Sequence, residues 1–282
     1  MTTTYKLALV NGEVLPLKDA SVSILDRGFT LGDGVFETIS FYGGKIYRVD
    51  KHRQRLKKSL AALQINIDVE KVFTNIQRLI KSNEAGNGIA RLTVTRGEGG
   101  SGYLPPDNQI PNITVSLRQF SGNIPSSIKL EVSDIRKIPL QCLPANMKLC
   151  NGLNSVLAKN QAHRAGYYDT LMLDISGHVS ETSSANIFWV KNGRLYTPAL
   201  STCALEGIIR AVIMDYMPVT EVAVGVGEIM TADELFITSV GIKVLPVSVI
   251  RFGDKEFCFT GGDITAEAMG IIEKDIINHC AI

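Results

Sequence analysis

Cysteine is scarce and scattered in this sequence. Its five cysteines include no C-x-x-C pair, so they indicate neither a disulfide framework nor a zinc cluster, and no metal site is predicted. No apolar run approaches the roughly 18 residues that a membrane-spanning helix needs. The first residues also lack the basic and apolar regions of a secretory signal. The sequence therefore predicts a soluble cytoplasmic protein.

An excess of charge of either sign is also absent. Lys and Arg number 29 against 28 for Asp and Glu, a net charge of +1. Such a balance gives no electrostatic reason to expect nucleic acid or an anionic membrane as a partner. Hydrophobic residues make up 45% of the 282 residues, enough for a full core, and the length accommodates two domains.

The first third of the chain predicts a mixture of strands and helices. The segment LALVNGEVLP has the pattern of a hairpin whose turn is Asn11-Gly12. Leucines at helical spacing predict a helix over residues 50–63, with Asp50 as its N-cap. A second amphipathic helix is predicted over residues 69–83. Two strand patterns then enclose a glycine-rich segment.

Small and turn-forming residues cluster after this region without periodicity. They predict an interdomain linker at residues 121–127. The predicted domains are a small α/β domain over residues 1–120 and a larger domain over residues 128–282. The second domain alternates strand and helix patterns and includes a hairpin turn, Lys-Asn-Gly-Arg, at residues 191–194.

Lys148 lies in the segment NMKLCNGLNSVLAK, between a loop-like stretch and a helix pattern. Most lysines are solvated surface charges. The neighbours of this one, Met147, Leu149 and Cys150, are apolar, which suits partial burial. Burial disfavours the ammonium form of an amine, and a neutral amine is what nucleophilic catalysis requires. Both readings of Lys148 stay open on these residues alone.

Three further positions suit a charged ligand. Glu181 either caps a turn or pairs with a buried cation such as a protonated pyridine nitrogen. Gly207 lies near the start of a helix pattern, where free N–H groups and the helix dipole favour an anion. Arg55 is either a solvated helix residue or a bidentate phosphate contact. Each arrangement is common, so their order along the chain carries more information than any one of them.

The order of the motifs resembles the fold-type IV (class IV) pyridoxal-phosphate-dependent enzymes. The series runs LDRGFTLGDGVFET, HRQRL, TRGEGGSGY, K-x-x-N, SETSSANIFWVKNGRLYTP, LEGIIR, ELFITSVGIKVLPV and spans nearly the whole chain. This superfamily holds 4-amino-4-deoxychorismate lyase and the D-amino-acid and branched-chain aminotransferases. The resemblance implies an α+β fold with a small N-terminal α/β domain and a larger C-terminal β-rich domain with helices. It also implies a homodimer and pyridoxal 5′-phosphate as the cofactor.

The resemblance assigns roles to individual residues. Lys148 corresponds to the catalytic lysine that forms an aldimine with the cofactor. Glu181 corresponds to the carboxylate that bonds the pyridine nitrogen, and Arg55 to the arginine that contacts the phosphate. The other implied phosphate contacts are Ile208, Ile209, Ser239 and Val240.

The resemblance is closest to the lyases. Residues 96–103, RGEGGSGY, are similar to their R-G-x-G-G-x-G-Y stretch, and the R-x-H carboxylate trap of D-amino-acid aminotransferases is absent. Gly152, where some lyases carry arginine, departs from the pattern and puts the lyase substrate contacts in doubt. The implied reaction gives 4-aminobenzoate and pyruvate, for folate biosynthesis, with an aminotransferase of D- or branched-chain amino acids as the alternative. The candidate substrate contacts are Phe36, Arg96 and Tyr103.

Overall fold

The computed structural model describes residues 5–120 and 122–280, and the predicted linker begins at residue 121, outside them. The chain forms two compact units. The first comprises the chain up to Gly122, Met147–Asn151 and the chain from Ile276, and the second comprises Asn123–Asn146 and Gly152–Asp275. Helices and sheets occur together, so the predicted α+β class is confirmed.

The first unit contains one antiparallel sheet of six strands with the order β2-β1-β6-β5-β3-β4. Its elements are β1 (Leu7–Val10), β2 (Glu13–Pro16), α1 (Arg27–Leu31), β3 (Gly34–Tyr42), β4 (Lys45–Ile46), α2 (Val49–Leu63), α3 (Val69–Ser82), β5 (Gly88–Thr95) and β6 (Asn112–Arg118). The apolar residues of α3 recur at helical spacing and are buried: Val69, Val72, Phe73, Ile76, Leu79 and Ile80. Each such side chain stabilises the fold by about 1.5–3 kcal/mol.

The local predictions for this unit are mostly confirmed. The first hairpin turns at Asn11 and Gly12, whose φ angles of 50° and 92° are those of the two-residue turn that matches strand twist. The predicted N-cap of α2 is wrong. Arg48 occupies that position, and Asp50 lies in the first turn, where a carboxylate still interacts favourably with the helix dipole.

The second unit contains a sheet of nine strands. Its order is β12-β11-β10-β13-β14-β7-β8-β9, with β15 beside β14, and a pairing of β9 with β10 closes six of the strands into a ring. Its elements are β7 (Ile128–Val132), α4 (Leu153–Arg164), β8 (Asp169–Leu173), β9 (Val179–Thr182), β10 (Asn186–Lys191), β11 (Arg194–Pro198), α5 (Ile208–Tyr216), β12 (Val219–Val222), α6 (Val226–Ile229), β13 (Glu234–Ser239), β14 (Lys243–Phe252), β15 (Lys255–Cys258) and α7 (Asp263–Cys280), of which the last residues join the first unit.

The core of the second unit is a cluster of buried side chains from the strands, with Trp189 among them. The predicted hairpin between β10 and β11 is present, and its turn residues Asn192 and Gly193 have φ angles of 50° and 70°. Within the described chain, no helix is both long enough and apolar enough to cross a membrane.

Candidate active site

Lys148 is held on the first unit by β3. The Phe36 N–H donates to the Lys148 carbonyl over 2.9 Å, and the Cys150 N–H donates to the Gly34 carbonyl over 2.9 Å. The predicted domain bounds placed Lys148 in the larger domain. In the structure Leu149 forms a β-bridge with Val35, and Met147–Asn151 belong to the first unit. The lysine is neither fully exposed nor fully buried. Its expected partial burial is therefore confirmed.

The Lys148 amine lies against an aromatic ring. Its Nζ is 4.4 Å from the centroid of the Phe36 ring. Arg91, on the neighbouring strand β5, places its guanidinium carbon 3.4 Å from the same centroid and donates from Nη1 to the Thr38 hydroxyl over 3.3 Å. Two basic side chains thus lie against the Phe36 ring, and the negative face of the aromatic quadrupole attracts such cations.

Arg91 was not predicted as a site residue. The residue as a whole is exposed, but its guanidinium is desolvated where it faces the sheet, and this burial lowers the pKa of Arg91 below its ordinary value. A guanidinium stays charged across the physiological range all the same. The available signal was a basic residue inside the apolar strand GIARLTVT.

Arg55 belongs to a buried ionic cluster with Glu37 and His52. Arg55 donates from Nε and Nη2 to the two carboxylate oxygens of Glu37 over 2.7 and 2.6 Å, and His52 Nδ1 lies 2.8 Å from Glu37 Oε2. Burial raises the pKa of Glu37, but the charge and hydrogen bonds of Arg55, with the hydrogen bond of His52, outweigh it and lower that pKa to about 2. The predicted contact of Arg55 with a phosphate stays a prediction.

Arg96 is engaged in a second ionic cluster. It donates from Nε and Nη2 to both oxygens of Asp33 over 2.7 and 3.0 Å, and from Nη2 to the Leu63 carbonyl over 2.8 Å. Arg27 also donates from Nε to Asp33, over 3.0 Å. Burial raises the pKa of Asp33, and the two guanidinium groups overcome it and hold that pKa below its ordinary value. In the structure the Arg96 guanidinium is paired with Asp33. The substrate contact predicted for Arg96 stays a prediction.

The glycine-rich loop depends on its glycines and on Arg27. Arg27 Nη1 donates to the Gly102 carbonyl over 3.0 Å, and Nη2 donates to the Tyr103 carbonyl over 3.1 Å. At Gly97, where φ is +86°, a Cβ atom would lie 2.0 Å from the carbonyl oxygen of Ile110. The backbone conformation therefore requires glycine at position 97, whatever the function of the glycine-rich loop. The Tyr103 side chain is 90% exposed, and its substrate role stays a prediction.

Glu181 lies within β9 of the second unit, opposite Asn186 of β10. Its Oε1 accepts a hydrogen bond from Lys137 Nζ over 2.6 Å. Its Oε2 accepts from Asn186 Nδ2 over 3.0 Å and from the Leu205 N–H over 3.1 Å. All three partners are donors, and a carboxylate offers about four acceptor sites. One acceptor site on Oε1 therefore remains for a further N–H donor, and the expected bond to a pyridine nitrogen stays a prediction.

Helix α5 begins directly after Gly207, which confirms the prediction that this glycine lies close to the start of a helix. Within the described chain no side chain caps this helix, and Ile208 and Ile209 of its first turn are buried. A Cβ atom at Gly207 would lie 1.9 Å from Oδ1 of Asn186. Only glycine thus allows the helix to begin beside the residue that holds Glu181. Uncapped first-turn N–H groups suit an anion such as a phosphate.

The end of β13 supplies a third polar feature of the second unit. Ser239 is the last residue of β13. Val240, which follows it, is buried. The hydroxyl of the preceding residue, Thr238, is buried and has no hydrogen-bond partner in the part of the chain that the structure describes. An unpaired buried hydroxyl costs about 1–3 kcal/mol, a cost that a bound polar ligand group removes. The donor and acceptor set of this unit fits a phosphorylated pyridine.

The family model for Amino-transferase class IV matches residues 34–250. A provisionally named branched-chain-amino-acid aminotransferase of Methanocaldococcus jannaschii is 36% identical over 84% of this chain and 85% of its own. A D-alanine aminotransferase of Listeria innocua is 31% identical over 96% of each chain.

Solved structures of the same kind superpose closely. The 4-amino-4-deoxychorismate lyase from Pseudomonas aeruginosa is 28% identical, with a TM-score of 0.85 over 95% of this chain and 99% of its own. A branched-chain amino acid aminotransferase from T.th., solved with pyridoxamine 5′-phosphate, is 27% identical, with a TM-score of 0.88 over 98% of this chain and 95% of its own.

Proposed function

This chain belongs to the class IV aminotransferase family, and from that premise we propose that it is a 4-amino-4-deoxychorismate lyase. Its cofactor is pyridoxal 5′-phosphate, and its substrate is a small molecule. The proposed reaction divides aminodeoxychorismate into 4-aminobenzoate and pyruvate.

The observation that carries this proposal is the position of the Lys148 amine over the Phe36 ring, 4.4 Å from its centroid. An aromatic face beside the reactive amine suits a six-membered carbocycle that becomes aromatic during the reaction. Arg91 on the same ring provides a positive charge for a carboxylate of the substrate. Residues 97–111 contain no Arg, Lys or His, so this loop has no basic trap for the carboxylate of an amino acid.

The roles proposed for the residues follow from their chemistry. When bound, the cofactor withdraws electrons from a carbanion. Lys148 removes the proton from the ring carbon that bears the substrate amine, and the carbon–oxygen bond to the enolpyruvyl group breaks. The enolpyruvyl fragment takes up a proton and leaves as pyruvate, and the ring becomes aromatic, which drives the step. Glu181 holds the pyridine N–H, and the proposed phosphate contacts are Arg55, Ile208, Ile209, Ser239 and Val240.

An aminotransferase of D- or branched-chain amino acids is the second candidate. The similarity to the Listeria innocua D-alanine aminotransferase, 31% over nearly the full length, favours it. In that reaction Lys148 moves a proton between the amino-acid Cα and the cofactor carbon. Both candidates therefore require the same amine in the same place and differ in the substrate.

A paired assay on cofactor-loaded protein tests the proposal. One arm offers aminodeoxychorismate and follows the fluorescence of 4-aminobenzoate, and the other offers D- and L-amino acids and follows the absorption band of the bound cofactor. Aminobenzoate release without an amino-acid half-reaction supports the lyase. The reverse result contradicts it and supports the aminotransferase. Lys148→Ala should abolish 4-aminobenzoate release in the first arm and the band of the lysine-linked cofactor in the second, while the far-ultraviolet circular dichroism is kept.

We also infer a homodimer in the cytoplasm that serves folate biosynthesis. The five cysteines are all free thiols, which suits a reducing compartment. Light scattering that gives twice the mass of 30.7 kDa is expected, and a monomer at assay concentration would contradict the inference. Deletion of the gene in its own host should produce a requirement for 4-aminobenzoate.

A further inference from the structure

Lys137 is fixed at both ends within the second unit. Its backbone N–H donates to the Leu173 carbonyl, at the end of β8, over 2.9 Å. Its Nζ donates to Glu181 Oε1 over 2.6 Å, and the two side chains are only 11% and 9% exposed. A lysine held at its backbone and at its amine loses the rotational freedom that usually weakens lysine ion pairs.

Of the three described groups that donate hydrogen bonds to Glu181, Lys137 is the charged one. Asn186 and Leu205 contribute neutral donors, and both bind Oε2. Hydrogen bonds from a charged donor are roughly twice as strong as neutral ones. Without Lys137, Oε1 would lose its one described partner, and a buried carboxylate with only neutral partners would remain, an arrangement that proteins tolerate poorly.

We propose that Lys137 is a positioning residue for the cofactor: it fixes Glu181 so that the remaining acceptor site of Oε1 receives the pyridine N–H. The inference rests on the proposed role of Glu181 and on the family's cofactor, and not on the choice between lyase and aminotransferase. Lys137 acts through Glu181 and touches no reacting atom. It was not among the residues predicted from the sequence.

The first test measures the affinity of the cofactor-free, full-length chain for pyridoxal 5′-phosphate by fluorescence quenching. Lys137→Met should weaken binding roughly tenfold to hundredfold, by analogy with the losses seen when a hydrogen-bond partner of a metal ligand is removed. Lys137→Arg keeps a charged donor and should restore most of the affinity. The matched control is Lys191→Met, because Lys191 forms a 2.8 Å ion pair with Glu228 in the same unit, 30% exposed, and it should bind like wild type.

A cofactor analogue separates positioning from a general loss of structure. In 1-deazapyridoxal 5′-phosphate a carbon replaces the ring nitrogen, so Glu181 has no N–H to accept. Lys137→Met should therefore leave the affinity for this analogue within about twofold of wild type, an effect of less than about 0.4 kcal/mol. If both compounds lose affinity equally, Lys137 only supports the fold and the proposal is wrong.

A double-mutant cycle tests the route through Glu181. Glu181→Gln should weaken binding of the natural cofactor, and adding Lys137→Met to it should change the affinity little, because the group that Lys137 positions is already gone. Full additivity would contradict the proposal, as would an affinity in Lys137→Met equal to or tighter than wild type. An unchanged affinity in Glu181→Gln would overturn the assigned role of Glu181, and the paired lyase and aminotransferase assay would be unaffected by that result.

Discussion

Glu37 and Arg55 form a bidentate pair in which both side chains are almost fully buried, with N–O distances of 2.7 and 2.6 Å. The pair joins strand β3 to helix α2, and His52, one helical turn before Arg55, binds the same carboxylate. The H-x-x-R spacing of α2 therefore places both basic side chains on one carboxylate. Breaking such a pair leaves a buried charge, which typically costs about 3–5 kcal/mol.

The first prediction concerns acid stability. Because the pKa of Glu37 falls from its ordinary value of 4.5 to about 2 in the folded state, its contribution is complete above about pH 4.5 and is lost as the pH falls toward 2. Burial also lowers the pKa of His52, so the unfolded state takes up that proton first and stability declines with falling pH there too. Urea unfolding at several pH values should show wild type losing stability across the acid window.

The variant Glu37→Gln isolates the carboxylate. It should be less stable than wild type by about 3–5 kcal/mol at pH 7, and the difference should shrink as the pH falls below 4.5. Glu70→Gln is the control, because Glu70 pairs with Arg53 and Lys57 at the surface, with 57% of its side chain exposed, and should change stability little. A constant difference between Glu37→Gln and wild type down to pH 2 would refute the assignment.

The second prediction concerns the attachment of the glycine-rich loop by Arg27. Lysine keeps the charge near Asp33 but cannot also reach the carbonyls of Gly102 and Tyr103 with a planar fork. Arg27→Lys should speed proteolytic cleavage within residues 97–109 several-fold and lower stability by about 1–2 kcal/mol. Arg53→Lys, at a surface pair, should leave cleavage unchanged. Equal cleavage in all three proteins would show that Arg27 does not hold the loop.

The third prediction compares two glycines of that loop. Both have positive φ, but a Cβ atom at Gly97 would meet the Ile110 carbonyl at 2.0 Å, whereas one at Gly102 would meet nothing within 4 Å. Gly102→Ala should cost about 1 kcal/mol for the left-handed backbone alone, and Gly97→Ala clearly more, because the backbone must also move. Melting temperatures of the two variants give the comparison. Equal losses would mean that the loop has room at Gly97.

The fourth prediction concerns the start of α5. Gly207→Ala would push a methyl group into Asn186, whose Nδ2 holds Glu181. The affinity for pyridoxal 5′-phosphate should fall roughly tenfold, a loss of about 1.4 kcal/mol. Gly225 is the matched control, because it also precedes a helix with a φ of −71° and has nothing within 4 Å of its Cβ position. A similar loss in Gly225→Ala would point to a general effect of alanine at this kind of position.

Much of the local structure could be predicted from the sequence. The hairpin at Asn11-Gly12, the amphipathic helix α3 and the helix beginning after Gly207 each depend on neighbouring residues, through turn conformation, apolar periodicity or a helix terminus. Strand β9 was missed. It has four residues, all of them buried, so it shows neither alternation nor length, and no strand was predicted around Glu181.

The order of the motifs along the chain was enough to predict the α+β fold and the class IV family, through the resemblance it carries, because that order is a property of the residues in series. Which charges meet could be known only from the folded structure. The partner of Arg96 is Asp33, 63 residues earlier, and the partner of Glu181 is Lys137, 44 residues earlier. The pair of Arg96 with Asp33 depends on the register of β3 with β5. The pair of Lys137 with Glu181 depends on the segment after β7, where the Lys137 N–H binds the Leu173 carbonyl at the end of β8. A periodicity of two or 3.6 residues carries no record of these contacts, since they arise only when distant segments fold together.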